Sequence, residues 1–188
     1  MLVQGNFGQA VSLAEFKRAR HVVETDSDDD LTFEAYLSAA QDVVETATNR
    51  PLTERTVQIA ARNLGYRRWW VPVAPLKELT KVEWNNAGTW TDLGLEGVVV
   101  ESAHDEPQIV FPSGYFAGVP DGAELRVTAS VGFEVVPKKL VQAIILIAGD
   151  WYEANISFEK VQHTAVSFGC RVLIRQSKYQ RPCEWAAS

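Results

Sequence analysis

Between residues 136 and 154 the chain reads Val-Pro-Lys-Lys-Leu-Val-Gln-Ala-Ile-Ile-Leu-Ile-Ala-Gly-Asp-Trp-Tyr-Glu-Ala, and no other stretch is so apolar at helical length. Pro137 suits the first helical position, where its missing N–H costs nothing and its fixed φ is already helical. From Leu140 to Tyr152 no wide polar stripe remains, and a helix apolar nearly all round must be covered by neighbours on several sides. The run is flanked closely by Lys138, Lys139, Asp150 and Glu153 and falls short of the ~20 apolar residues that span a bilayer. A central core helix over residues 137–154 follows, and the rest of the chain has to supply its cover.

Two segments upstream have the right pattern. Val11-Ser12-Leu13-Ala14-Glu15-Phe16 carries a capping box, with Ser12 as N-cap and Glu15 three residues on, and Val11 and Phe16 are placed as a hydrophobic staple. A helix is expected over residues 12–23. Asp26, Asp28, Asp29 and Asp30 then precede a second helix over residues 31–48, favoured at its positive end by those acids and stopped by Asn49-Arg50-Pro51. The acidic run is not a calcium loop. Asp26, Asp28 and Asp30 would occupy positions one, three and five, but Leu31 stands where the loop needs Gly and Leu37 where it needs a bidentate Glu.

Over residues 52–134 the apolar period changes to two. Leu125, Val127, Ala129, Val131 and Phe133 alternate with smaller or polar residues, as in a half-buried strand. Further strands are expected at residues 57–61, 69–73, 79–84, 98–101 and 108–111, separated by turn-forming stretches such as Asn85-Asn86-Ala87-Gly88 and Pro120-Asp121-Gly122. The fold class is therefore α+β: a small helical bundle around the central helix, with a mainly antiparallel β insertion. Trp69 and Trp70 are neighbours on one expected strand and so point to opposite faces. They are candidates for a subunit interface, where Trp is enriched.

The charge of −6 is unevenly spread. Residues 160–188 hold five Lys/Arg against one acid, a balance of +4, leaving 13 basic and 23 acidic residues, or −10, on the rest. An acidic body argues against general nucleic-acid binding, which rests on cations neutralising phosphates. A basic end on such a body marks a segment that meets a partner. Arg171, Arg175 and Lys178 share one face if residues 165–179 are helical. Residues 179–188 are expected to be extended or disordered on their own.

No catalytic grouping emerges. His21, His104 and His163 are scattered without Cys or carboxylate at ligand spacing, Ser113-Gly114 lacks the glycines of a nucleophile elbow, and no glycine pattern cradles a phosphate. Cys170 and Cys183 have no metal-ligand spacing and fit inert thiols in a reducing compartment. Residues 1–8 show no basic-then-apolar signal pattern. The reading is a non-enzymatic protein with no metal, no cofactor and no membrane segment.

The order of these features resembles a known family. A Val-Ser-Leu-Ala-Glu start, an Asp-Asp-Asp-Leu turn into a helix ending Thr-Asn-Arg-Pro-Leu, a β-rich middle, Gly132-Phe133 before Val136-Pro137, a Gln-Ala-Ile-Ile-Leu helix and Trp151-Tyr152-Glu153 are similar to the head-tail connector (adaptor) proteins of tailed bacteriophages, long-tailed type with an inserted β region. The resemblance spans residues 10–179. It implies a virion protein made in the host cytoplasm, assembled as a ring, most often of twelve, beneath the portal. The implied partners are the portal protein, a stopper or tail-completion protein, and further copies of itself. DNA would pass through the lumen without specific binding. Residues 1–163 would form the connector body and residues 164–188 a portal-binding arm, with Phe168, Arg171, Val172, Leu173, Arg175, Lys178, Tyr179 and Arg181 as the candidate contacts. The chain departs from the family pattern where an Arg after Trp-Tyr-Glu is usual, having Ala154-Asn155, and where a closing Pro-Tyr-Arg is usual, having Ser177-Lys178-Tyr179-Gln180-Arg181. A stopper ring or a non-viral interaction module are the other readings.

Overall fold

The computed structural model describes residues 2–4, 8–154 and 167–181. Residues 155–166, with the expected loop to Thr164 and His163, and residues 182–188, with Cys183, lie outside them. The described residues form an α+β fold in two units: a helical one of residues 8–53, 133–154 and 167–178, and a β one of residues 2–4, 54–132 and 179–181. The boundary expected at residue 163 falls outside the described residues, while residues 167–178 of the expected arm belong to the helical unit.

In the helical unit, α1 (Leu13–Ala19) begins at the capping box: Ser12 accepts a hydrogen bond from the Glu15 backbone N–H at 3.2 Å. It is shorter than expected. The Arg20 N–H turns back to the Phe16 and Lys17 carbonyls, and His21 takes a left-handed φ of 58°, which ends the helix four residues before Val23. The α2 helix (Asp30–Thr48) closes on Asn49 in the left-handed conformation at φ 55°, a conformation Asn tolerates well. Gln41 ties the chain before α1 to α2, accepting from the Ala10 N–H at 2.8 Å and donating to the Gly8 carbonyl at 3.2 Å.

The central helix is α3 (Lys138–Glu153), with Pro137 one residue earlier than expected, as N-cap at ψ 131°. Leu140, Ala143, Ile144, Ile145, Ile147, Ala148 and Trp151 are buried among Val11, just before α1, and Phe16, Phe33, Leu37, Ala40 and Val44 of the first two helices. A narrow line of Lys138, Gln142, Asp150 and Glu153 is exposed, so the cover is wide but not complete. Gly149 marks a close approach. A Cβ there would lie 3.0 Å from the Arg20 guanidinium, which pairs with Glu153. A fourth helix, α4 (Phe168–Ser177), completes the unit against α2 and α3.

The β unit contains two sheets where one was expected. Five strands run in the order β1 (Leu2–Gln4), β2 (Arg55–Arg62), β8 (Glu124–Val131), β4 (Leu76–Asn86), β5 (Thr89–Asp92); three run β3 (Arg68–Trp70), β7 (Gln108–Val110), β6 (Val99–Glu101). All pairs are antiparallel. Val57 and Ile59 of β2, Leu125, Val127, Ala129 and Val131 of β8, and Ile109 of β7 are buried, as the period of two predicts, and side chains of both sheets share one core. Phe133 lies beyond β8 and belongs to the helical core. Strand β4 is longer than its periodicity suggests because two irregularities, at Leu76/Glu78 and Leu79/Lys81, break the alternation. It turns into β5 through Ala87-Gly88, both at positive φ, as a two-residue hairpin of the primed type requires, and the Asn85 side chain accepts from the Gly88 N–H at 2.8 Å.

Candidate interaction surfaces

The α4 helix has two faces of different chemistry. Inward, Cys170 and Ser177 are buried and Leu173 and Ile174 pack on the helical core. The Arg50 Nε donates to the Ser177 carbonyl at 2.6 Å, and its guanidinium lies 5.9 Å from the Phe133 ring centroid, so the end of α4 is pinned inside its own unit. Burial also pushes the Cys170 thiol up from its ordinary value, leaving it a neutral packing group. Outward, Phe168 is 77 % exposed, and Val172 one turn later is open to solvent between exposed Arg171 and Arg175, with Lys178 just beyond. The helix carries no acidic residue.

The expected contact residues therefore divide. Phe168, Arg171, Val172, Arg175 and Lys178 stand together on an open surface. Leu173 is half-buried, packed against its own helical core. Tyr179 is buried, its hydroxyl donating to the Val71 carbonyl at 2.8 Å within the β unit. The Arg181 guanidinium lies 5.7 Å from the Trp69 ring centroid. Residues 179–181 are thus anchored, against the expectation of a free end from Tyr179 onward.

Trp69 and Trp70 do point to opposite faces of β3, whose register sets them against Ile109 and Gln108 of β7. Trp69 packs against the shared β core. The Trp70 Nε1 is buried and has no hydrogen-bond partner among the described residues.

Beside Trp69 lies a groove that the sequence reading missed. The connection from β2 to β3 is held rigidly by buried Asn63, whose side-chain amide donates to the Val119 and Pro120 carbonyls at 3.0 and 3.2 Å and accepts from the Gly65 N–H at 3.1 Å. The loop so fixed holds Leu64 and Tyr66 exposed above a cavity of about 220 Å³, whose walls include Trp69, Phe116, Arg62 and Arg181. The local signal was the run Arg62-Asn63-Leu64-Gly65-Tyr66-Arg67-Arg68, basic residues interleaved with apolar ones. Its concavity comes from Phe116 and Leu125, distant in sequence.

A buried carboxylate marks β4. Burial raises the Glu83 carboxyl, but hydrogen bonds from Lys81 at 2.7 Å and Arg126 at 2.8 Å, with their charges, outweigh it and hold it below the usual carboxylate range. Arg126 also stacks 4.2 Å from the Trp90 ring centroid, tying β5 to β8. Because the folded value is depressed, this contribution to stability is complete above the unfolded value of about 4.3 and is lost as pH falls through the folded one. Glu83→Gln is expected to lower the melting temperature at pH 7 and to flatten its decline below about pH 4.3. Melts from pH 3 to 7 check this; parallel curves for the two proteins would refute it.

Among the described residues no group of His, Cys, Asp and Glu could hold a metal ion, and no helix is long and apolar enough to cross a membrane. Neither a protein-family model nor a curated protein matches the sequence. Solved structures do. A chain in the virion of a native gene transfer agent (GTA) particle superposes with a TM-score of 0.72 at 24% identity, and one in the neck of an empty GTA particle computed with C6 symmetry with 0.71 at 22%. A third, in the neck of a native GTA particle computed with C12 symmetry, gives 0.66 at 21%. In each case 97% of this chain and 97% of the other are covered. Over 97% of its length the chain shares its fold with chains of GTA particles.

Proposed function

We propose that this protein is a structural component of a particle neck, a head-tail connector (adaptor) that forms a ring beneath the portal and lines part of the DNA channel. The observation that carries the reading is the likeness over 97% of both chains to chains of GTA particles, two of them in necks computed with C6 and C12 symmetry.

The outer face of α4 favours an adaptor over a stopper. An exposed Phe168 and Val172 ringed by Arg171, Arg175 and Lys178 suit an apolar groove with a carboxylate rim, and we assign that groove to the portal. Each such joint is small, and the ring's multivalency would hold the attachment. The acidic body repels phosphates, so DNA would slide through without specific binding.

Testing requires variants that leave the fold intact. Phe168→Asp with Arg171→Glu and Arg175→Glu alters only exposed side chains, so at about 0.5 kcal/mol each stability is expected to stay within about 1.5 kcal/mol of wild type. Attachment to DNA-filled, portal-bearing heads is expected to be lost, giving tailless particles in micrographs. Unchanged attachment would rule α4 out as the portal contact, and attachment through the tail side alone would make the protein a stopper.

A further inference from the structure

A ring of identical chains needs two different patches on each copy, one fitting the other on its neighbour. Resting on the ring reading above, we infer that the groove beside Trp69 receives the acidic turn at the start of α2 from the adjacent copy, with Leu31 as the inserted side chain.

Leu31 is 84 % exposed, while the α2 positions Phe33, Leu37, Ala40 and Val44 are all buried. It therefore contributes nothing to its own core. Around it stand exposed Asp28, Asp29 and Glu34, and Val23 adds a second exposed aliphatic on the preceding turn. That turn is itself fixed: Lys17 is buried beneath it and pairs with Asp30, and the Tyr152 hydroxyl donates to Asp29 at 2.6 Å. The groove has the complementary character. Leu64, 63 % exposed, and Tyr66 flank an apolar hollow of about 220 Å³, room enough for a leucine side chain, and exposed Arg62 and Arg181 stand at its walls. One patch is an apolar knob in a negative setting, the other an apolar hollow in a positive one. An apolar centre with a charged rim is the usual anatomy of a specific interface, and the opposed charges would set the order of subunits around the ring.

The test uses the full chain in a Cys183→Ser background, where the remaining Cys170 is buried. Leu31→Cys and Leu64→Cys are placed together in one chain, the protein is concentrated and mildly oxidised, and non-reducing gels are read beside micrographs of the same sample. A ladder of covalent oligomers reaching the ring is expected from the double variant. A mixture of the two single variants should stop at dimers, and neither single variant alone should cross-link. Arg62→Glu should raise the concentration needed for ring formation at least about tenfold, and adding Asp28→Lys should reverse most of that. Rings in micrographs without a ladder would overturn this contact and leave the ring reading standing. Dimers from a single-cysteine variant would also overturn it, by showing a two-fold contact. No rings and no ladder at any concentration, with or without portal-bearing heads, would remove the contact together with the ring.

Discussion

Trp151→Ala is expected to lower the stability of the helical unit by about 3–5 kcal/mol, through lost burial and the cavity left behind. The indole is 2 % exposed and sits on α3, within the cluster that joins all four helices of the unit. A loss of that size is a large part of a typical domain stability of about 5–15 kcal/mol, so the variant should melt well below wild type or express as unfolded protein. Thermal melts followed by helical circular dichroism give the result directly. A melting temperature unchanged within error would contradict the packing of α3.

Lys17→Met should have the next largest effect, about 3 kcal/mol of destabilisation. Lys17 is 3 % exposed, and its ammonium is enclosed by Asp30 and the backbone carbonyls of Glu24 and Asp26. Removing it leaves these acceptors without their cation and frees the turn between α1 and α2. The value lies at the low end for a broken buried pair because Asp30 keeps some contact with water. Arg18 offers the control. Its pairing with Glu24 at 3.3 Å is fully on the surface, so Arg18→Ala should cost less than about 1 kcal/mol. Equal melting shifts for the two variants would show that Lys17 acts as a surface charge. If the contact proposed for Leu31 is right, Lys17→Met should also weaken ring formation, since it loosens the turn that presents that side chain.

Local rules located most elements. The Ser12 capping box, the Asn49 stop, the all-round apolar run of α3 and the alternation along β2 and β8 each depend on residues within one or two turns, and each stands where the spacing predicts. Errors gathered where a local signal was weak or was overridden. The first helix ends early because Lys17 turns the following segment back across it, and β4 hides its length behind bulges. Strand β5 has four exposed residues and so no apolar period at all.

What the sequence by itself determined was the order of the helices and of six of the eight described strands, the α+β class, the outward cationic face of α4 and the acidic body, all properties of spacing and charge along the chain. Tertiary structure alone decided that the strands divide into two sheets, that Leu173 and Tyr179 turn inward while Phe168 and Val172 stay open, and that Arg62, Leu64, Trp69, Phe116 and Arg181 surround one hollow. The physical reason is separation. A groove between strands, like the pairing of Glu83 with Arg126, joins residues tens of positions apart, and no periodicity along the chain records which of them the sheet registers bring together.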